Sequence, residues 1–531
     1  MVRKVALSLA IFAIALTQTS CFEELDGVEY NVSEMMVLGD QLNNPFTVEN
    51  MQLAIAGLKN SDPSMFSQFP EKLNATHYYV RFLPQDETQL EVLLHDTTLL
   101  LSDYPLDYEI KSEGTFYHDP ALASSDFTYL YSAVPANHQF PSGIKNEILA
   151  QLFLPSSTAN SSSGRIGNDE YQTLIEQEAF RLAGISEESI PQAAGARQSS
   201  KWTPSGSVTV WDNRLNKFIP LEGVKIEARR WFDIKQAVTD ANGNYKMDGT
   251  FRHDVNYRLV FERSQFDVRS GTFGQAKING PKKRGDWNVE IKGKTIEFHY
   301  AHVFRAAMRY YYHDIGGLAR PAFRLKYAVF NKGGDHAARN IGNWSAFGIN
   351  PNILIYRYGA AHGNEYDADE IFSNACHETA HATHMQTMNA GVIQFLQVSE
   401  TIRESWAVGV EWFLTQKEYK EKGILNYGDP GFKVEVNYPA FHAFQYWNKR
   451  RSKTLTSLFI DIVDTNNQRG QTFGYGQVGV VNDGVSGYSF AQIEKNILKN
   501  VYGLGSLDDA LKLNKPEQLT NQQIDLLLEY F

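Results

Sequence analysis

Cysteine is nearly absent. Two stand in 531 residues, Cys21 and Cys376, so no disulfide framework supports this chain and its stability has to come from a large buried core. A positive excess is also missing. Lys and Arg number 50 against 61 Asp and Glu, a formal charge of −11, which excludes an overall electrostatic grip on nucleic acid. No basic, aromatic-interleaved stretch offers a local one. Beyond the first residues no run of 18 apolar residues occurs, so the sequence carries no helical membrane span. Internal repeats are lacking. The stretch GTFGQAKINGP holds no usable G-x-G-x-x-G phosphate loop, and no G-x-S-x-G elbow supports a serine nucleophile.

What is present is apolar and aromatic: 43% hydrophobic residues, 13% aromatic. Disorder of the whole chain is excluded by that composition, and the length calls for two to four domains. The amino terminus, MVRKVALSLAIFAIALTQTSC, has a short basic region at Arg3 and Lys4, an apolar run over 5–16, and small residues Thr19 and Ser20 before Cys21. The layout is that of an export signal over residues 1–20. A cysteine directly after small residues resembles the cleavage site of bacterial lipoproteins, with Gln18 departing from that pattern. The acidic FEEL that follows is similar to the surface-export tails of lipoproteins of the Bacteroides group. The resemblance implies a lipid on Cys21 and an outer-membrane or cell-surface location.

Patterning divides the rest. Residues 21–188 read as an α+β region: a helix in TVENMQLAIAGLK, a strand HYYVRFLP ended by Pro84, a short helix in QLEVLLHD, and a helix over 169–185. The segment 189–202, with SIPQAAGARQSS, is a linker by composition. Over 203–295 short alternating strands (GSVTVWD, GVKIEARRW, NYKMDG, YRLVFERS) and the turn at Asp240 to Gly243 predict a small β-sandwich that folds by itself. The wording PLEGVKIEA…AVTDANGNYKM resembles the transthyretin-like, carboxypeptidase-regulatory modules of exported proteins, which implies a structural or adhesive role. From 296 to 531 the pattern turns helical, with helices expected over 368–388, 392–418, from near Pro439, and over 488–501. The strand ILIYRYG precedes the first of these.

That first helix carries HETAHATH at 377–384. Asp367 is its N-cap and Glu370, three residues on, completes a capping box. His377 and His381 are one turn apart and share a face, so both imidazoles can reach one zinc ion. Glu378 projects beside them, placed to take a proton from a water. This is HExxH, the pattern of metal-assisted hydrolysis. The metzincin continuation fails, because His384 and Thr387 stand where Gly and His are required. His384 reads as a packed or substrate-side histidine and Cys376 as a small buried hydrophobe.

Downstream, TIRESWAVGVEWFLTQKEY resembles the second zinc helix of gluzincin peptidases, the class of the thermolysin-like enzymes. By position the resemblance makes Glu404 the third ligand, with Ser405, Trp406 and Ala407 in the places of Gly, Phe and Ala, and Arg403 in that of Asn. Glu411, two turns on, is the alternative ligand, or else an acceptor for a ligand imidazole. A turn at 389–391 would let two antiparallel helices close on the metal. The expected fold is therefore multidomain: an α+β amino-terminal region, a small β-sandwich, and a mainly helical zincin-like domain whose edge strand precedes the HExxH helix. Tyr438, His442 and Tyr446 are open candidates for stabilising an oxyanion. Asp461 and Asp464 lack the order of an EF-hand and read as solvated or capping. The reading that follows is a zinc endopeptidase acting on extended extracellular polypeptide, with Glu378 as base. The competing one is an adhesion or glycan- and protein-binding lipoprotein whose metal site is not catalytic.

Overall fold

The computed structural model describes residues 35–66, 72–123, 126–155, 169–185, 201–272, 274–334, 337–338, 352–359, 365–389, 391–429, 454–473 and 477–531. The leader with Cys21, most of the linker, and Tyr438, His442 and Tyr446 lie outside the described residues. Among those described, no helix is long and apolar enough to cross a membrane.

The chain is mixed α/β, with several separate sheets. Near its start, Thr47 accepts a hydrogen bond from the Asn50 N–H at 3.2 Å and opens helix α1, Val48–Ser61. Met51, Ala54 and Ile55 form its buried stripe and share a core with Tyr79 and Leu152. Those two residues belong to strands β1 (His77–Leu83) and β3 (Lys145–Leu152). Helix α2 (Glu87–His95) follows β1, and β2 is Leu130–Pro135. The sheet order is β2-β1-β3, antiparallel throughout. Helix α3, Asp169–Leu182, adds Ile175, Ala179 and Phe180 to the same core.

Alternation builds the next layer. In β4 (Ser205–Asp212) Val208, Val210 and Asp212 are the buried phase, so an aspartate occupies an inward position that the pattern reserves for an apolar side chain. β5 (Lys217–Pro220), β8 (Asn244–Lys246) and β13 (Val289–Ile291) join β4 in one sheet; β6 (Lys225–Arg230), β7 (Asp233–Val238), β9 (Val255–Val260) and β12 (Lys277–Lys283) make the other, in the order β12-β9-β6-β7. Two strands from this stretch go elsewhere. β10 (Phe266–Ser270) and the short β11 (Gly274–Gln275) belong to a third sheet with β14 (Leu325–Gly333), β15 (Ala337–Ala338) and β16 (Ile353–Tyr358), ordered β11-β10-β14-β16-β15. β10 runs parallel to β14 from Phe266–Leu325 to Ser270–Val329, and β14 parallel to β16.

This sheet crosses the boundary expected at residue 295. Val208, Ile226, Leu259, Phe304, Phe372 and Trp406 all belong to one continuous core, so the stretch 203–295 and the helical region share their apolar surface. Short-range alternation cannot reveal such sharing, because β10 finds its partner across a helix. The strand before the HETAHATH helix also differs from expectation. β16 is not the sheet's edge: β15 pairs antiparallel with Ile353 and Leu354.

Helix α4 (Ile296–Tyr312) starts where Thr295 caps it, accepting from the Phe298 N–H at 3.3 Å. Helix α5 is Ala368–Thr387 and helix α6 is Glu400–Glu421. The single helix expected over 392–418 is broken. A short turn of helix, Val392–Phe395, precedes Ser399, whose hydroxyl accepts from the Ile402 N–H and starts α6. The stretch expected as one helix over 488–501 changes from α (Phe490–Gln492) to π (Ile493–Ile497) to a 3-10 turn (Leu498–Asn500).

Candidate metal centre

Helix α5 starts where its chemistry dictates: the Asp367 N–H donates to Glu370 Oε2 at 2.7 Å. It stops after Thr387, with Asn389 in the left-handed region at φ 50°. α5 then packs against α6, and the crossing brings His377, His381 and Glu404 together, all buried. Their ligand atoms lie within 4.8 Å of one another. Glu404 Oε2 is 3.3 Å from His377 Nε2 and 3.4 Å from His381 Nε2. Four ligands at zinc bond lengths span tetrahedral edges of about 3.3–3.6 Å. The two separations from Glu404 match such an edge, and two imidazole nitrogens with a carboxylate oxygen are a zinc donor set.

Glu411 sits on the far side of His377. Its Oε2 is 3.0 Å from His377 Nδ1. With Nδ1–H donating to Glu411, His377 keeps the Nε2 lone pair for a metal. The geometry separates the two candidate acids: Glu404 faces both histidines through Nε2, and Glu411 holds the outer nitrogen of one.

Electrostatics differ sharply among the acids here. Burial raises Glu404, but the His381 and His377 imidazoles outweigh it and hold the carboxyl well below its usual range. Glu378 is 1% exposed, and its Oε2 has no hydrogen-bond partner. Burial pushes it up to about 8, with Glu404 and Glu411 adding to the rise and His377 opposing it. His381 is lowered, first by burial.

The remaining candidates fall into place around this. His384 is fully buried and packs edge-on against Phe395, centroids 5.1 Å apart, and near Trp406 at 6.3 Å. Both of its ring nitrogens lack partners, and burial pulls it down to about 3. Cys376 is fully buried, its thiol raised by burial. Asp461, read as solvated or capping, is fully buried, accepting from the Ser457 hydroxyl at 2.8 Å and from Gln468.

Sequence reasoning missed a set of residues that anchor α5 and α6 from behind. Asp212 Oδ2 accepts from Arg305 at 3.0 Å and from the Tyr419 hydroxyl at 2.9 Å. Arg305 and Arg309 of α4 both bind Glu418 of α6. Arg214 binds Asp369 of α5. The available signal was Asp212 in the inward phase of an alternating strand.

No family model matches the chain, and no curated protein matches it. Among solved structures, a 9R-lipoxygenase from Cyanothece PCC8801 is similar over 28% of this chain and 27% of that one, at 14% identity. Its TM-score of 0.12 is too low for the likeness to carry an argument about fold or chemistry.

Proposed function

We propose that the protein is a zinc-dependent endopeptidase, exported and tethered through a lipid on Cys21, that hydrolyses peptide bonds in extracellular polypeptide. The observation that carries this reading is the convergence of His377 Nε2, His381 Nε2 and Glu404 Oε2 beside the partnerless carboxylate oxygen of Glu378. His377, His381 and Glu404 would hold the metal. When bound, zinc supplies Lewis acidity toward a water and a carbonyl oxygen.

The chain's own residues do the rest. Glu378 takes the proton of the attacking water and delivers it to the leaving amine. Its burial keeps bulk water from competing for that proton and raises its basicity toward neutral pH. Glu411 holds His377 in the tautomer that leaves Nε2 unprotonated.

The second reading, a binding lipoprotein with a non-catalytic metal site, has one observation in its favour. A cavity of about 230 Å³ lies between the amino-terminal region and the sheets behind it, with Leu90, Leu94 and Phe127 on one wall and Glu262, Arg269 and Arg324 on the other. One experiment separates the two: zinc content by mass spectrometry together with cleavage of unfolded casein. Wild type holds about one zinc and cleaves. Glu378→Gln keeps its zinc and loses hydrolysis by about two orders of magnitude or more. Glu404→Gln loses both. Zinc binding without cleavage by wild type would favour the binding lipoprotein, and a wild type without zinc would end the peptidase reading.

A further inference from the structure

The turn between β4 and β5, residues 213–216, and Asp212 just before it reach both helices of the metal centre. It is a tight turn, with Asn216 at φ 51°, and Asp212 organises it: Oδ1 accepts from the Arg214 and Leu215 N–H groups, each at 3.0 Å. Asn213 Oδ1 accepts from the N–H of Ala368, the first residue of α5, at 2.8 Å. That N–H is one of the donors a helix leaves unpaired at its start. Arg214 grips the next residue with a fork: Nε to Asp369 Oδ2 at 2.6 Å and a terminal nitrogen to Oδ1 at 3.2 Å. Asp369 is fully buried and also accepts from the Tyr427 hydroxyl at 2.8 Å.

Asp212, the strand residue that precedes the turn, holds α6. Asp212 takes the Tyr419 hydroxyl directly, and through Arg305 it reaches Glu418 Oε1 at 3.0 Å. Tyr419 stacks on Tyr427 with centroids 4.7 Å apart, which closes the ring of contacts back to Asp369. The start of α5 and the later part of α6 are thus pinned to neighbouring residues of a different layer, α5 by Asn213 and Arg214 and α6 by Asp212.

We infer that Asn213 and Arg214 are positioning residues of the metal centre, setting how far α5 slides and rotates against α6. Asp369 and His377 are eight residues apart on one helix, about 12 Å along its axis at the usual rise. A displacement of α5 at its anchored end is carried to His377 and His381 while Glu404 stays on α6. The 3.3 and 3.4 Å separations between Glu404 and the two histidines have to be held to within about 0.5 Å for one ion to meet all three. An adhesive appendage has no need for a buried bidentate arginine aimed at another layer's helix start. The β4–β5 turn is part of the site. This inference rests on the metal reading above and on no assumption about substrate.

The test uses the full-length protein, with zinc affinity measured by chelator competition and the visible spectrum of the cobalt-substituted form. Readings are taken at a temperature where circular dichroism shows each variant folded. Arg214→Ala and Asn213→Ala each weaken zinc binding by about 10–100-fold, the scale of lost outer contacts, and shift the cobalt bands. Asn213→Ser, a neutral acceptor for the Ala368 N–H that adds no charge beside Asp367 and Asp369, recovers at least half of the lost binding free energy. A turn that merely stabilises would lower the unfolding temperature and leave affinity and spectrum unchanged in the folded variants; that result overturns the inference. Should Arg214→Ala fail to fold, the Asn213 pair decides alone, by the same criterion. A wild type that binds neither zinc nor cobalt defeats the metal reading and this inference together, while zinc binding by wild type with unchanged variants defeats only the inference.

Discussion

Asp212 and Glu378 are both carboxylates withdrawn from solvent, and the protein treats them in opposite ways. Asp212 has hydrogen bonds on both oxygens: two backbone N–H groups on one, Arg305 and the Tyr419 hydroxyl on the other. Burial raises it, but Arg305 leads a set of donors that brings it below the usual range. Glu378 has an oxygen with no partner, and burial takes it up to about 8. A buried charge without compensation costs free energy. The fold saturates one carboxylate and leaves the other bare about three turns from the start of α5, and an unsatisfied buried carboxylate is the kind of group that functional sites retain.

Substitution breaks this comparison most directly. Asp212→Asn leaves the buried Arg305 short of a counter-charge and costs about 3–5 kcal/mol of unfolding free energy, read from urea denaturation. Glu378→Gln removes a bare carboxylate and leaves stability within about 0.5 kcal/mol of wild type or raises it. Equal losses in the two variants would abolish the distinction. Glu411→Gln sits between the extremes. It keeps a hydrogen-bond acceptor for His377 Nδ1 and loses the charge, so zinc affinity falls about 10–100-fold while most of the stability remains. Complete loss of zinc in that variant, with zinc retained in Glu404→Gln, would exchange the roles of the two acids.

The sequence made local features legible and concealed those that depend on distant partners. The start of α5 could be read because Asp367 and Glu370 are three residues apart, and the candidate ligands because helical spacing places His377 and His381 on one face. Glu404 and Glu411 were both nameable, and only the crossing of α5 and α6 distinguishes which imidazole nitrogen each one meets. Arg214 and Asp369 are 155 positions apart, and no periodicity links them. β10 fell inside the range assigned to the sandwich, and its alternation, with Phe266, Val268 and Ser270 buried, is the same in either sheet; its partner β14 lies beyond α4. The break at Ser399 was missed because a residue that caps a helix also tolerates its interior, and the apolar pattern continues past it.

The smallest effect concerns pH and again contrasts the anchor with the site. His302 lies on α4, its Nδ1 2.7 Å from Arg305 and its Nε2 3.1 Å from the Trp211 carbonyl. With Arg305 donating to Nδ1, Nε2–H donates to Trp211 and the ring is neutral. Burial, then Arg305, lower it to about 3; His299, one turn earlier, is lowered to about 4, chiefly by burial. Both values lie below the ordinary histidine value of 6.5. The unfolded chain therefore binds protons that the folded chain refuses. Their contribution to stability is complete above pH 6.5 and is lost as pH falls, through about 4 for His299 and about 3 for His302. Each histidine supplies a slope of about 1.4 kcal/mol per pH unit in that window. Glu418, brought down to about 2 mainly because Arg305, Lys422 and Arg309 outweigh its burial, adds its own loss only below about pH 4.5. Urea unfolding at pH 7.5, 6.0 and 5.0, in chelator so that metal ligation does not contribute, measures the slope. His302→Gln removes one titrating ring, and its slope between pH 6.0 and 5.0 is lower than that of wild type by about 1.4 kcal/mol per unit. If the two slopes coincide, His302 is protonated in the folded protein, and the neutral hydrogen-bonded chain from Trp211 through His302 to Arg305 and Asp212 is not the one that anchors α6.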